Sequence, residues 1–164
     1  MADVAALSAR LIATLESRDL TVAVAESLTG GLLTSELIRT PGASAVVRGG
    51  IIAYDTELKH SLLGVDAGLL AVYGAVHADV ARQMAAGVRA ALTVADLPAD
   101  IGIATTGVAG PDPQDGQPVG TVFVAIAIGM DIHVLELQLD GDREAIRSGV
   151  VYESLLELER LLSL

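Results

Sequence analysis

Ser27, Lys59 and Tyr54 are the residues of this chain whose types and spacing could do chemistry: a hydroxyl nucleophile, an amine able to take its proton, and a phenol beside them. Ser27 lies in Thr21-Val-Ala-Val-Ala25-Glu26-Ser27-Leu28-Thr29-Gly30-Gly31, where a short apolar run ends in hydroxyls and glycines before a helical pattern begins. Such a junction sets a hydroxyl beside free backbone N–H groups, which can stabilise an oxyanion or bind a phosphate. A lone Ser/Thr-Gly-Gly turn also reads as an ordinary helix start, with Ser27 or Thr29 as its cap. Lys59 argues for more than a cap, because it is the only lysine in 164 residues and the other nine cations are arginines. Arginine keeps its proton in proteins, whereas a partly buried lysine can lose it and act as a base. Coding bias explains why lysine is scarce, but not why one survives here. Tyr54 lies five residues earlier, at the end of Gly49-Gly-Ile-Ile-Ala-Tyr54, so a strand-to-helix connection there brings phenol and amine toward Ser27.

A third segment, Ile101-Gly-Ile-Ala-Thr105-Thr106-Gly107-Val-Ala-Gly110-Pro111, again runs an apolar strand into hydroxyls, and a Gly/Pro-rich loop follows it to Gly120. Three strand ends that present polar groups imply one shared rim, since open α/β sheets hold ligands just outside the carboxyl ends of their strands. The elements that must build this rim follow from periodicity. Residues 2–18 predict an amphipathic helix with Val4, Leu7, Leu11, Ile12 and Leu15 on one face. The first strand carries Val22 and Val24, and the second helix carries Leu32, Leu33, Leu37 and Ile38 before stopping near Thr40-Pro41-Gly42. Strand two is expected over Ala45–Tyr54, a short helix with Lys59 over Glu57–Leu63, another helix over His77–Leu92, and strand three over Ile101–Thr105. Strands Thr121–Ile128 and Ile132–Leu139 flank Gly129-Met130-Asp131, short enough to force a hairpin, and a last helix covers Arg143–Leu162. Helices interleaved with the first three strands, then a hairpin, give a three-layer α/β/α sandwich with a mixed sheet of about five strands.

The length fits one domain, and residues 1–164 show no linker, repeat or low-complexity segment. With 52% hydrophobic but 2% aromatic residues, the core must be built of Ala, Val, Leu and Ile. A net charge of −11 repels nucleic acid and anionic membranes, and the near absence of aromatic rings removes base-stacking surfaces. Neither nucleic acid nor membrane is therefore expected as a partner. The absence of cysteine excludes disulfides, thiolate metal sites and cysteine nucleophiles, and His60, His77 and His133 lack ligand spacing, so no metal site is expected. The N-terminus lacks a basic start and an uninterrupted apolar core, and no apolar stretch is long enough to cross a bilayer, so the expected location is cytoplasmic. The excess of aliphatic residues over what one small core can use predicts a homo-oligomer.

Taken in order, Ala25-Glu-Ser-Leu-Thr-Gly-Gly31, Gly49-Gly-Ile-Ile-Ala-Tyr54 with Lys59, Gly74-Ala-Val76, Thr106-Gly-Val-Ala-Gly-Pro111 and Pro118-Val-Gly-Thr121 resemble the CinA C-terminal domain family over nearly the whole chain. That family includes nicotinamide-nucleotide amidases, which convert nicotinamide mononucleotide to nicotinate mononucleotide and ammonia in pyridine nucleotide salvage. The resemblance implies an α/β/α domain with a mixed five-stranded sheet and no cofactor. It also implies the stand-alone form, without the additional N-terminal domain, similar to molybdopterin-binding proteins, of the longer competence/damage-inducible members. Carried onto this sequence, it makes Ser27 the nucleophile, Lys59 its partner and Tyr54 the associated tyrosine, with Thr106 and Arg143 as further site residues. Departures are Leu28 where a cysteine is usual, and Ala43 and His77 where serines are common; Ala43 is expected to thin the hydroxyls around the pocket.

The residues themselves suggest how such a site works. Tyr54 can relay the proton or orient the amine, and N–H groups around Thr29, Gly30 and Gly31 are candidates for the oxyanion hole. Thr106, with the loop from Gly107 to Pro111, and Arg143 are the expected contacts to a nucleotide substrate. Arg147, four residues on at the start of the last helix, reads equally as a phosphate ligand or as surface charge paired with Glu144 or Asp142. Glu26 either orients Lys59 or clips backbone N–H groups, the clip being the better reading. A non-catalytic pyridine-nucleotide-binding or regulatory module is the alternative function. A DNA-uptake or repair role is disfavoured by charge and by the missing aromatics.

Overall fold

The computed structural model describes residues 4–163. Five strands, β1 (Val22–Glu26), β2 (Val47–Ile52), β3 (Ile101–Gly107), β4 (Thr121–Ile128) and β5 (Asp131–Gln138), form one sheet in the order β2-β1-β3-β4-β5. β1 runs parallel to β2 and β3, while β3–β4 and β4–β5 are antiparallel. The helices are α1 (Val4–Ser17), α2 (Leu32–Ile38), α3 (Thr56–Leu63), α4 (Ala67–Tyr73), α5 (Ala78–Ala91) and α6 (Arg143–Leu162). This is the expected mixed five-stranded α/β/α arrangement. Predicted residues 2 and 3 of the first helix lie outside the described residues.

The strands dictate which helix covers which face. Along β1, β3 and β4 the large side chains Val22, Val24, Ile101, Ile103, Val122, Val124 and Ile126 share one core with Leu7, Leu11 and Leu15 of α1, Leu33 and Leu37 of α2, and Ile146, Val150 and Leu155 of α6. The alternate positions, Phe123 apart, are small (Ala23, Ala25, Ala104, Ala125, Ala127), and they meet Leu63 of α3, Leu70 of α4 and Val80, Met84 and Val88 of α5. Small residues let α5 lie close to the sheet, and α3 lies close to α5 in turn: a Cβ added to Gly87 would run into the Leu63 carbonyl. The helix that carries Lys59 is thereby fixed against a rigid layer.

Two local expectations differ from the fold. Residues Ala43–Ala45 make a short 3₁₀ turn, and strand pairing begins only at Val47, because Pro41 and Gly42 (φ 92°) force a second turn after α2. α4 falls in a segment with no predicted element; its seven residues are too few to display a helical period, though Asp66 caps it by accepting from Leu69 N–H at 2.7 Å. Among the described residues no helix is long and apolar enough to cross a membrane.

Candidate active site

The sheet register brings the three singled-out strand ends to one rim. Glu26, the last residue of β1, stands between Ile52 of β2 and Thr105 of β3. Ser27 N–H donates to Thr105 O at 3.1 Å and Ala53 N–H to Glu26 O at 2.9 Å, so ladder-like bonding continues just past β1. The strand order changes direction here, β1 leading outward to β2 and the chain returning to β3 on the other side, which is where open sheets form a crevice.

At the end of β1 the chain turns sharply into α2. Gly30 (φ 58°) and Gly31 (φ 100°) hold the left-handed conformations that the turn needs, and Gly30 N–H donates to Ser27 O at 3.1 Å. Directly beneath, the fully buried Glu26 carboxylate accepts from Gly31 N–H (3.0 Å), Leu33 N–H (3.1 Å), Thr34 N–H (2.8 Å) and Thr34 Oγ1 (2.6 Å). Glu26 is thus the clip, an acid at a helix N-terminus where donors and dipole both favour it. The expected oxyanion donors are corrected by the same contacts, since the amides of Gly30 and Gly31 are already engaged within the protein. Thr29 does not face the rim either; its Oγ1 pairs with Thr105 Oγ1 at 2.8 Å, both residues being fully buried.

Lys59 sits in the first turns of α3, whose start is fixed by Asp55 accepting from Glu57 N–H at 2.9 Å. It is 0% exposed, and its Nζ lies 3.1 Å from Ser27 Oγ, 2.7 Å from Ala53 O and 3.5 Å from Tyr54 O. Burial lowers the Lys59 amine from 10.5 to about 8, against the opposing pull of the Asp55 and Asp115 carboxylates. A neutral amine has two N–H groups and one lone pair. With both N–H groups given to the carbonyls of Ala53 and Tyr54, the lone pair is left for the Ser27 hydroxyl.

Tyr54 therefore meets Lys59 through its main chain. Its phenol, 61% exposed, accepts instead from Arg143 Nη2 at 3.1 Å, so the expected relay from phenol to amine is not formed. Arg143, the first residue of α6, also donates from Nη1 to Gly110 O at 2.6 Å and so ties the Gly107–Pro111 loop to the end of β2. Thr106 Oγ1 donates to Ala75 O at 2.7 Å, and the carboxylate of Asp115 accepts from Ala75 N–H at 2.8 Å. These bonds clamp the 74–76 segment between β3 and the long loop. The result is a cleft of about 160 Å³ lined by Ser27, Lys59, Tyr54, Thr106, Gly107 and Arg143. Larger grooves of about 630 and 760 Å³ lie elsewhere on the surface, away from the buried Ser27–Lys59 contact.

Several expectations about the periphery change. The start of α6 offers fewer backbone donors than its sequence suggests, because Asp142 caps it by accepting from Ala145 N–H at 2.8 Å. Arg147 is neither free nor merely surface-paired: besides Glu144 it reaches the carbonyls of Leu28 and Thr29. Ala43 belongs to the α1–α2–α6 core, so it takes nothing from the cleft lining, and His77 caps α5 by accepting from Asp79 N–H at 3.1 Å. Asp115 was not legible as a site residue, its only sequence signal being the Asp115-Gly116 turn. Among the described residues no group of three His, Asp or Glu side chains could hold a metal ion.

Comparison with known proteins agrees with this architecture. The CinA C-terminal domain model matches residues 4–162. A CinA-like protein of Frankia casuarinae is 50% identical over 149 residues, 91% of this chain and 33% of its own length. A putative competence-damage inducible protein of Geobacillus kaustophilus is 49% identical over 134 residues, 81% of this chain and 31% of its own. The chain thus spans about a third of the length of these relatives. Among solved structures, a CinA superfamily protein from Klebsiella pneumoniae superposes with a TM-score of 0.92 at 31% identity, covering 98% of each chain. A competence/damage-inducible protein from Agrobacterium tumefaciens gives 0.90 at 33%, covering 100% of this chain and 98% of that one. With its fold, its motif-bearing rim and a matching model over nearly its full length in agreement, the chain belongs to the CinA C-terminal domain family.

Proposed function

We propose that this chain hydrolyses a primary carboxamide by serine–lysine chemistry, and that the substrate is nicotinamide mononucleotide. The observation that carries this reading is the contact between Ser27 Oγ and a fully buried lysine amine whose affinity for protons is lowered by burial. Neutral Lys59 takes the Ser27 proton while Oγ bonds to the amide carbon and the carbonyl electron pair moves onto oxygen. As the carbonyl re-forms, the C–N bond breaks and the proton on Lys59 passes to the leaving nitrogen, which departs as ammonia. A water then attacks the acyl-serine, again losing its proton to Lys59, and breakage of the ester bond returns the proton to Ser27 and frees the carboxylic acid. The cleft is small against the 300–1,000 Å³ or so of a pocket that encloses a whole ligand, so it fits a flat ring bearing the amide, with the rest of the molecule extending past Tyr54 and Arg143. Mixing purified protein with nicotinamide mononucleotide should release ammonia. A shift in melting temperature without ammonia would favour the non-catalytic binding module instead.

The pH dependence follows from Lys59. Only the neutral amine can serve as base, and at pH 7 a group titrating near 8 is about one-tenth neutral. kcat/KM should therefore rise almost tenfold per pH unit below the transition and level off above about 8. A flat profile between pH 6 and 9 would count against Lys59 as the base.

Arg143 supplies a cation at the mouth of a strongly acidic protein, and its guanidinium retains N–H groups beyond those given to Gly110 and Tyr54. Arg143→Ala should slow turnover of nicotinamide mononucleotide by roughly 10–100-fold, the usual range for a lost charge-assisted contact, and that of unphosphorylated nicotinamide riboside by less than about fivefold. Equal losses on both substrates would assign Arg143 to holding the loop and the tyrosine rather than to the phosphate.

A further inference from the structure

Arg147 makes contacts that neither a surface charge nor a phosphate ligand would need. From the second turn of α6 it crosses to the Ser27–Gly30 turn, where Nε donates to Leu28 O at 2.9 Å and Nη2 to Thr29 O at 3.1 Å, while Nη1 pairs with Glu144 at 2.9 Å. All three guanidinium nitrogens are thus engaged within the protein, and two of them grip consecutive carbonyls immediately after the nucleophile. A trans peptide directs its C=O and N–H oppositely. Drawing the Leu28 carbonyl toward Arg147 therefore aims Thr29 N–H away from the guanidinium. By the same rule, the Ser27 carbonyl, which accepts from Gly30 N–H inside the turn, aims Leu28 N–H out of it.

The amides around this turn fall into two groups. Those of Gly30, Gly31, Leu33 and Thr34 are engaged by Ser27 O and Glu26. Those of Leu28 and Thr29 have no hydrogen-bond partner among the described residues; Thr29 is fully buried, whereas Leu28 lines the cleft beside Ser27. We propose that Leu28 N–H is the oxyanion donor and that Arg147 is the positioning residue, its bonds to Leu28 O and Thr29 O holding the turn that presents that amide. This rests on the acyl-transfer reading of the site. When Ser27 Oγ bonds to the amide carbon and its proton passes to Lys59, the carbonyl electron pair moves to oxygen, and that oxygen is the atom the Leu28 amide stabilises. Two carbonyls held by one guanidinium fix the backbone directly after Leu28, so its N–H keeps its aim as charge develops on that oxygen.

Arg147→Met and Arg147→Lys test this with two reactions, ammonia release from nicotinamide mononucleotide and the burst of p-nitrophenolate when p-nitrophenyl acetate acylates Ser27. Arg147→Met should lower kcat by about 10²–10³-fold, the range for a lost oxyanion contact, with KM within about threefold and the pH transition unmoved, because Arg147 does not touch Lys59. Arg147→Lys, able to reach one carbonyl at a time, should fall between the two and serves as the informative variant if Arg147→Met does not fold. A lowered melting temperature with kcat within threefold of wild type, measured well below that temperature, would make Arg147 a structural anchor only and overturn the proposal. A loss confined to KM would overturn it as well. If wild-type protein gives the burst without releasing ammonia, the substrate reading fails while Arg147 is judged on the burst rate. If wild-type protein gives neither, both readings fall.

Discussion

Ser27→Ala and Lys59→Arg are each expected to abolish ammonia release, by about 10⁴-fold or more, while leaving the fold intact. Without the hydroxyl there is no acyl-serine. With arginine in place of lysine the positive charge is kept, but no lone pair is offered to the Ser27 proton. Because position 59 is fully buried, the bulk of arginine is a risk to folding, and Lys59→Met provides a second variant of similar length. Circular dichroism melting separates the two causes of inactivity: folded, inactive Lys59→Met protein would locate the loss in the amine. Full activity in either lysine variant would show that Lys59 only shapes the cleft. The methionine variant also carries a stability signature. Between about 8 and 10.5 the unfolded chain keeps the Lys59 proton more readily than the folded one, so the unfolded state binds more protons and wild-type stability rises with pH across that window. In Lys59→Met that rise should be missing.

How much of this site was legible in the sequence depends on whether a residue acts where its element ends or reaches across the fold. Ser27 was readable because a β-branched run stops at it and two glycines follow, a pattern with few structural outcomes. Lys59 was readable because its side-chain type is unique in the chain, and the parallel register of β1 with β2 then carries α3 to the same rim. Tyr54 was placed at the right rim but through the wrong atoms. Spacing cannot say that the carbonyl, and not the phenol, turns toward the amine. Thr29, expected to offer its N–H to the oxyanion, is instead fully buried with its hydroxyl paired to that of Thr105, a placement that spacing within a four-residue turn cannot show. The carbonyl partners of Arg147, and Asp115 altogether, escaped because each contacts segments distant in sequence, Arg147 the turn after β1 and Asp115 the 74–76 segment. Neither contact leaves a periodic trace.

The central correction, that the α2 N-terminus is already occupied, yields the other large effect. Each oxygen of the Glu26 carboxylate accepts two hydrogen bonds, Oε1 from the amide and hydroxyl of Thr34 and Oε2 from the amides of Gly31 and Leu33. Glu26→Gln preserves size and shape but places an NH₂ group against donors, whichever way the amide is turned, because an amide nitrogen cannot accept. With the NH₂ toward Thr34 the hydroxyl can turn and accept from it, so one donor, Thr34 N–H, is left without an acceptor; the other orientation would strand the amides of both Gly31 and the fully buried Leu33. At about 1–3 kcal/mol for a stranded group, this lowers the melting temperature by roughly 2–12 °C in a chain of this size. If Glu26 instead served to orient Lys59, the substitution would move the pH transition of kcat/KM and spare the melting temperature. The distances place Glu26 on the helix and not on the amine, so thermal melting should move strongly while the transition near 8 stays where Lys59 sets it. The opposite pattern would return Glu26 to the catalytic group and reopen the α2 N-terminus as an anion site.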